Sequence, residues 1–130
     1  MIYLDTSVVL AYLFAEKRQP PNHLWRETLV SSRLLTYEMW TAIHARGLVD
    51  THGESARSMI GQVALLELTP NVLAWLIDAM PSRMTLRTLD EIHLATCIYL
   101  SNQGQSIALA SYDLRMTNAA TTLKIPLFEL

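Results

Sequence analysis

Four carboxylates lie where a chain of alternating strands and helices would bring them together: Asp5, Glu38, Asp90 and Asp113. Asp5 directly follows the apolar run Ile2–Leu4 and precedes a helical stretch, so it marks the end of a strand and the start of a helix. In an open parallel sheet, ligands bind at that edge. Several carboxylates in one cleft repel one another, and a like charge raises a carboxylate's pKa. A divalent cation is the natural counter-charge, and an oxygen-only site favours Mg²⁺ or Mn²⁺.

A carboxylate-bound cation of this kind typically grips phosphate oxygens and activates water for in-line attack on a phosphodiester. Each helix N-terminus stabilises a nearby negative charge by about 0.3–1 kcal/mol, which is too little to offset the repulsion among four carboxylates. Ser7, Thr6 and Ser111 lie beside the acids, and we expect their hydroxyls to orient a carboxylate or hold a water. Any one acid is equally well explained as a helix cap or a surface charge. Their shared edge favours a metal site.

The elements that would position these acids alternate along the whole chain. The predicted strands are Ile2–Leu4, Arg33–Glu38, Leu65–Thr69, Ser106–Ser111 and Ile125–Leu130. The predicted helices are Val8–Ala15, Asn22–Ser31, Met39–Arg46, Ser55–Gln62, Val72–Met80, Leu89–Gln103 and a last one from Asp113 through Leu123. This alternation predicts an α/β fold in three layers, with a central, mainly parallel five-stranded sheet flanked by helices. We expect one domain spanning residues 1–130.

Connectivity places the four acids on the same side of this sheet. Glu38 ends the second predicted strand and Asp113 follows the fourth. Asp90 begins a helix that joins the fourth strand through a tight turn at Gly104, so the two run antiparallel. The start of that helix then lies at the carboxyl end of the strand. Thr6 or Ser7 is expected to cap the first helix, Asn71 the helix after Pro70, and Thr88 or Thr85 the Asp90 helix.

Composition limits the class of protein. A hydrophobic content of 51% against 17% charged residues indicates a folded globular chain. The net charge is −2 and lysine occurs only at Lys17 and Lys124, which argues against a general polyanion binder. Cys97 is the single cysteine, so a reducing compartment fits. No apolar run approaches the roughly 20 residues of a membrane span, and no basic leader precedes the first strand. These features predict an unsecreted, cytoplasmic protein without membrane contact.

Four motifs make the chain resemble the PIN-domain family, and within it the VapC-type toxin ribonucleases. They are Tyr3-Leu4-Asp5-Thr6-Ser7, Glu38 leading a helix, the segment from Leu86 to Thr96 that contains Asp90, and Ala110-Ser111-Tyr112-Asp113. The third motif is the most specific, because an acid three residues before His-Leu-Ala marks this family. The resemblance spans nearly the whole chain, in family order and at about the family's length.

The resemblance implies a Mg²⁺- or Mn²⁺-dependent endoribonuclease with a PIN-like fold. Asp5, Glu38, Asp90 and Asp113 correspond to the family's acidic quartet, and Ser7 to the polar residue that assists the metal site. It also implies a homodimer and, for a toxin, a small VapB-like antitoxin that enters the cleft. Because the chain is mildly acidic, any RNA contact must be local. We expect it at Arg87 and Arg115, with Arg83 nearby.

Other interpretations fit the residues less well. A phospho-receiver domain needs paired early acids, and a phosphatase of the Asp-x-Asp type needs an acid where Ser7 stands. A non-catalytic PIN-like domain that binds a metal or a partner stays open as the alternative function. His93 is interpreted as a packed or supporting histidine in preference to a metal ligand. Tyr37, Trp40 and Tyr112 flank the acids and are candidates to stack on a base, although core packing fits Trp40 better.

Overall fold

A parallel sheet of four short strands organises the structure, a computed structural model that describes residues 1–80 and 86–130. The strands are β1 (Ile2–Leu4), β2 (Leu29–Ser32), β3 (Ala64–Leu66) and β4 (Ala108–Ala110). Their order is β3-β2-β1-β4, and each neighbouring pair is parallel. β1 is therefore an inner strand, and Asp5 leaves it at the middle of the carboxyl edge. The expected loop at residues 81–85, with Arg83 and the alternative cap Thr85, lies outside the described residues.

Six α-helices and a short 3₁₀ helix complete the described structure. They are α1 (Thr6–Leu13), the 3₁₀ helix (Asn22–Arg26), α2 (Leu34–Ala45), α3 (Val49–Ile60), α4 (Pro70–Asp78), α5 (Thr88–Asn102) and α6 (Leu114–Thr122). α5 ends at Asn102, and Gly104, two residues later, has a φ of +82°, the left-handed conformation that glycine adopts without a side-chain penalty. The predicted tight turn between α5 and β4 is confirmed at this position.

The pleat of the strands sorts the core into two halves. Successive strand residues point to opposite faces, so Ile2 and Leu4 pack with α1, α2 and α3, while Tyr3 packs with α5 and α6. The neighbouring strand repeats this division with Leu29 on the first face and Val30 on the second. Helices thus cover both faces of the sheet, and the predicted α/β architecture in three layers is confirmed.

The second predicted strand, Arg33–Glu38, is wrong, because those residues belong to α2 except for its N-cap residue Arg33. Leu35, Met39 and Ile43 are fully buried and recur every four residues, which is the spacing of one helix face. The actual strand is the preceding segment, Leu29–Ser32, which was assigned to a helix through Ser31. Glu38 consequently lies in the second turn of a helix and not at the end of a strand.

Two serines explain why β2 was misassigned. Ser31 and Ser32 look like the polar end of a surface helix, yet both are buried. The Ser31 hydroxyl donates to the Leu4 carbonyl at 2.7 Å, and the Ser32 hydroxyl accepts the Leu34 N–H at 3.2 Å. Because each hydroxyl is hydrogen-bonded, burial costs these serines little. Two adjacent polar residues in the sequence therefore belong to a buried strand.

The predicted fifth strand is also wrong as a full strand. Within the described residues, its part of the chain contributes an isolated parallel bridge between Leu109 and Leu127. The Leu109 N–H donates to the Pro126 carbonyl and the Phe128 N–H to the Leu109 carbonyl, each at 2.8 Å. Pro126 has no N–H of its own, so the ladder does not extend beyond this contact. Among residues 1–80 and 86–130, the sheet has four strands and not five.

Helix boundaries differ from the prediction in smaller ways. Asp5, and not Thr6 or Ser7, is the N-cap residue of α1, and Thr69 caps α4 in place of Asn71. Arg87 precedes α5 without a side-chain cap. α3 begins at Val49, before the predicted start at Ser55, so Gly53 lies inside this helix, and a Cβ added at Gly53 would meet the Trp40 ring at 3.6 Å. Within the described residues, no helix is both long and apolar enough to cross a bilayer.

Candidate active site

Asp5 is the most tightly held carboxylate of the four. It is buried at the junction of β1 and α1, with 5% of its surface exposed. Its backbone N–H donates to the Ala110 carbonyl at 3.0 Å, which ties the end of β1 to the end of β4. Its Oδ2 atom accepts from the Ser7 N–H at 3.4 Å, from the Ser7 hydroxyl at 2.5 Å and from the Ser111 hydroxyl at 2.7 Å. All three contacts use the same oxygen.

The two serine hydroxyls link Asp5 to the loop that follows β4. Ser7 Oγ accepts the Tyr112 N–H at 3.0 Å, and Ser111 Oγ accepts the Asp113 N–H at 3.0 Å. Because each hydroxyl accepts from the backbone, its own proton is free to donate to Asp5. The backbone of Asp113 is thereby fixed relative to Asp5, across a sequence separation of about a hundred residues.

Glu38 reaches the same edge from the second turn of α2. Its Oε1 atom accepts from the Thr6 hydroxyl at 3.0 Å and lies 2.5 Å from His93 Nε2. Thr6 belongs to α1 and His93 to α5, so two other helices hold this carboxylate. The wrong strand assignment therefore did not remove Glu38 from the site, because α2 starts at the carboxyl end of β2.

The pKa of Asp90 depends on the charges of the other three acids. This residue is partly buried in the first turn of α5. Its pKa is raised, first by burial and then by the negative charges of Asp5 and Asp113, with a further contribution from Glu38. A hydrogen bond from the Arg87 backbone partly opposes this shift. The carboxylates are thus close enough to repel one another, which is the situation that a cation relieves.

Asp113 is exposed and serves as the N-cap of α6. Its Oδ1 atom accepts from the Arg115 N–H at 2.8 Å and from the Met116 N–H at 3.3 Å. This carboxylate therefore completes the first turn of its own helix. It faces solvent at the rim of the acidic edge.

The described residues show how a cation would fit this edge. No three His, Cys, Asp or Glu side chains in that part of the chain converge closely enough to enclose one metal ion. Mg²⁺, however, usually keeps several waters and binds through only one or two carboxylates. The hydrogen bonds above engage Asp5 Oδ2, Glu38 Oε1 and Asp113 Oδ1, and the described chain offers no donor to their second oxygens. This oxygen-only donor set with unbalanced negative charge fits a hydrated Mg²⁺ or Mn²⁺.

Three arginines lie near the acids in space or in sequence. Arg87 and Arg115 are exposed at the starts of α5 and α6, next to Asp90 and Asp113. Arg18 was not predicted: its guanidinium stands 4.8 Å from the centre of the Tyr112 ring and donates to the Tyr112 carbonyl at 3.3 Å. It comes from a loop after α1 that no local pattern connects to β4.

The three aromatic candidates occupy different parts of the structure. Tyr112 lies at the acidic edge, stacked with Arg18. Trp40 packs against α3, with the Arg57 guanidinium over its ring at 5.2 Å, as core packing predicts. Tyr37 is exposed on α2. Tyr112 is therefore the aromatic residue placed nearest the acids.

Tyr3 is a second residue of the site whose role sequence reasoning missed. The sequence predicts a residue of the apolar first strand, but the Tyr3 hydroxyl lies 2.8 Å from His93 Nδ1 and accepts the Ser32 N–H at 3.0 Å. Burial raises the pKa of this phenol well above its ordinary value, so the hydroxyl stays protonated. A signal was present, because a buried tyrosine usually needs a polar partner for its hydroxyl. The partner itself is 90 residues away.

Comparison with known proteins agrees with this geometry. The sequence model of the PIN domain matches residues 2–121, a range that includes all four acids. The chain is also similar to Ribonuclease VapC46 of Mycobacterium tuberculosis (strain H37Rv), with 33% identity over 129 residues that cover 94% of this chain and 92% of that protein. A match of this length, on a parallel sheet with its acids at the carboxyl edge, shows that the chain belongs to the PIN-domain family.

Proposed function

We propose that this chain is a Mg²⁺- or Mn²⁺-dependent endoribonuclease and the toxin of a toxin–antitoxin pair. Membership of the PIN-domain family and the similarity to Ribonuclease VapC46 support a nuclease that acts on RNA. The observation that carries the metal dependence is the raised pKa of Asp90, which three other carboxylates help to cause. Such repulsion destabilises the ionised edge unless a cation binds there.

Within this proposal, Asp5 and Glu38 hold the cation site in place, because each has one oxygen fixed by hydrogen bonds and the other free of described donors. Asp90 and Asp113 add negative charge to the same edge and would bind the cation directly or through its waters. Ser7, Thr6 and Ser111 orient the two held carboxylates. A divalent cation, when bound, activates a water and neutralises the charge that develops on the leaving oxygen.

The RNA backbone must approach an edge that carries four negative charges. Arg87 and Arg115 are exposed beside it, and we propose that they contact phosphates. Arg18 joins them on the same edge, where its stacking on Tyr112 also offers a surface for a base. These local contacts suit a chain with a net charge of −2, because they do not require a basic domain.

The test is cleavage of RNA by the wild type and by Asp5→Asn and Asp90→Asn, with Asp50→Asn as a matched control on the exposed start of α3. We expect both site variants to remain folded and to lose at least about 1,000-fold in rate, as roughly 4 kcal/mol of transition-state stabilisation would require. The control should cleave like the wild type. Products should carry 5′-phosphate and 3′-hydroxyl ends, which separates this activity from contaminating nucleases that leave cyclic phosphates.

The alternative is a non-catalytic PIN-like domain that binds a metal or a partner. Calorimetry with Mn²⁺ distinguishes the two proposals: binding without any cleavage favours a regulatory domain, and no binding favours a scaffold. Undiminished Mg²⁺-dependent cleavage by both site variants would contradict the nuclease proposal.

The toxin role follows from the VapC-type resemblance, which also supports a homodimer and a small VapB-type antitoxin. Expression of the wild type should arrest bacterial growth, whereas Asp5→Asn should not. A short reading frame beside the gene, encoding a DNA-binding N-terminus and a disordered tail, should restore growth when co-expressed. Growth arrest that persists in Asp5→Asn would separate toxicity from the acidic edge.

A further inference from the structure

His93 forms the centre of a buried hydrogen-bonded chain that the proposed mechanism has not yet used. Its ring has no solvent-exposed surface. Nδ1 lies 2.8 Å from the Tyr3 hydroxyl, and Nε2 lies 2.5 Å from Glu38 Oε1. The chain crosses the sheet layer, because Tyr3 belongs to β1, His93 to α5 and Glu38 to α2.

The carboxylate of Glu38 determines the direction of this chain. A carboxylate oxygen has no proton to donate, so Nε2 is the donor in its contact with Glu38 Oε1. A neutral imidazole that carries its proton at Nε2 accepts at Nδ1, where the Tyr3 hydroxyl is the donor. The Tyr3 oxygen in turn accepts the Ser32 N–H at 3.0 Å.

Glu38 has three rotatable side-chain bonds and sits on a helix surface, so packing alone would not fix its carboxylate. The donor from His93 and the hydroxyl of Thr6 converge on one oxygen, Oε1, from two different helices. The carboxylate is then anchored at Oε1, and the second oxygen, Oε2, has no donor among the described residues. Both ring nitrogens of His93 are occupied in this arrangement, which leaves no lone pair for a metal ion.

We propose that His93 is a positioning residue that fixes Glu38 for cation binding, with Nε2 donating to Glu38 and Nδ1 accepting from Tyr3. This inference rests on the proposed function, because it assigns Glu38 to the cation site. Partners of this kind, one contact removed from the ion, typically change metal affinity by about 10–100-fold when they are replaced. The role differs from simple packing, which would affect folding without affecting the ion.

The experiment compares His93→Asn with His93→Gln and uses Tyr3→Phe as a third variant. The Gln amide nitrogen reaches about as far as Nε2, whereas the Asn amide reaches only as far as Nδ1. We expect His93→Asn to weaken Mn²⁺ binding by about 10–100-fold in calorimetry. His93→Gln should stay within a few-fold of the wild type, and Tyr3→Phe should fall between them. Thermal unfolding of each variant without metal measures the structural cost separately.

Nuclear magnetic resonance of the metal-free wild type supplies a second readout that needs no variant to fold. The ¹⁵N spectrum of the imidazole rings should show His93 neutral, protonated at Nε2 and unprotonated at Nδ1. The opposite tautomer would overturn the inference, and so would equal Mn²⁺ affinity in His93→Asn and the wild type. If the wild type neither binds Mn²⁺ nor cleaves RNA, the proposed function fails, while the tautomer still decides whether His93 orients Glu38.

Discussion

The acidic edge has two halves that are built differently. Asp5 and Glu38 are each held by side chains from other elements: Ser111 follows β4, and His93 belongs to α5. Asp90 and Asp113 depend on their own helices, since one lies in the first turn of α5 and the other caps α6. The first half is fixed by tertiary contacts, and the second by local backbone geometry.

This difference indicates a division of labour between the halves. A carboxylate with one oxygen fixed by hydrogen bonds presents the other at a defined position, which is what a preorganised ligand requires. Asp90, in contrast, experiences the charge of the other acids, and its raised pKa records that repulsion. We expect Asp5 and Glu38, which tertiary contacts hold, to determine cation affinity. We expect the effect of Asp90 and Asp113 on stability to change most when charge is removed or added.

Removing the hydroxyls that hold Asp5 should give the largest effect. In the double variant Ser7→Ala/Ser111→Ala, Asp5 loses two hydroxyl donors to Oδ2, and the loop after β4 loses its side-chain hydrogen bonds to Asp5 and to α1. We expect Mn²⁺ affinity to fall by about 10–100-fold, measured by calorimetry on folded protein. The control is Ser55→Ala/Ser58→Ala, two exposed serines of α3. Unchanged affinity in the site variant would mean that Asp5 needs no support from these serines.

Changing Asp113 should give a smaller effect that separates its two roles. Asn is about as good an N-cap as Asp, so Asp113→Asn should keep α6 intact while it removes the charge. Asp113→Ala should lose about 1 kcal/mol of stability because the cap is lost. We expect both variants to weaken Mn²⁺ binding by roughly tenfold. If Asp113→Asn binds Mn²⁺ as tightly as the wild type, Asp113 acts only as a helix cap.

The smallest expected change concerns the stability of the metal-free protein, which Asp90→Asn should increase. At neutral pH the metal-free folded protein must keep Asp90 ionised near three other carboxylates. Removing this charge should raise the free energy of unfolding by less than about 1 kcal/mol, because solvent screens a partly exposed group. Urea unfolding without metal measures this gain.

The pH dependence of that gain has a defined sign. A carboxyl whose folded pKa is raised binds its proton in the folded state before the unfolded chain does, so the wild type gains stability as the pH falls through that raised pKa. The advantage of Asp90→Asn should therefore be largest at neutral pH and shrink on acidification. Saturating Mn²⁺ should reverse the order, since a ligand that binds only the folded state stabilises it. A gain that is independent of pH would show that repulsion is not its cause.

Local sequence signals predicted the parts of the fold that local forces fix. Ile2–Leu4 is an apolar run that has to be buried, and Gly104 supplies the left-handed residue after α5. The error at β2 shows that such signals fail for polar residues that tertiary contacts bury. Ser31 and Ser32 resemble a surface segment until the structure supplies an acceptor for one and a donor for the other. Glu38 was identified from a predicted strand end and then again in the family motif; the strand was wrong, because Glu38 lies in α2.

The sequence by itself determined the α/β class, the strand β1 and the choice of the four candidate acids, because apolar runs, helix starts and a family motif are all properties of neighbouring residues. Only the tertiary structure decided how the acids are held. Tyr3, His93 and Glu38 meet across separations of 90 and 55 residues, and Ser111 reaches Asp5 across 106. Hydrogen bonds over such distances depend on how β1 and β4 pair and how α2 and α5 pack, and no local pattern encodes that geometry.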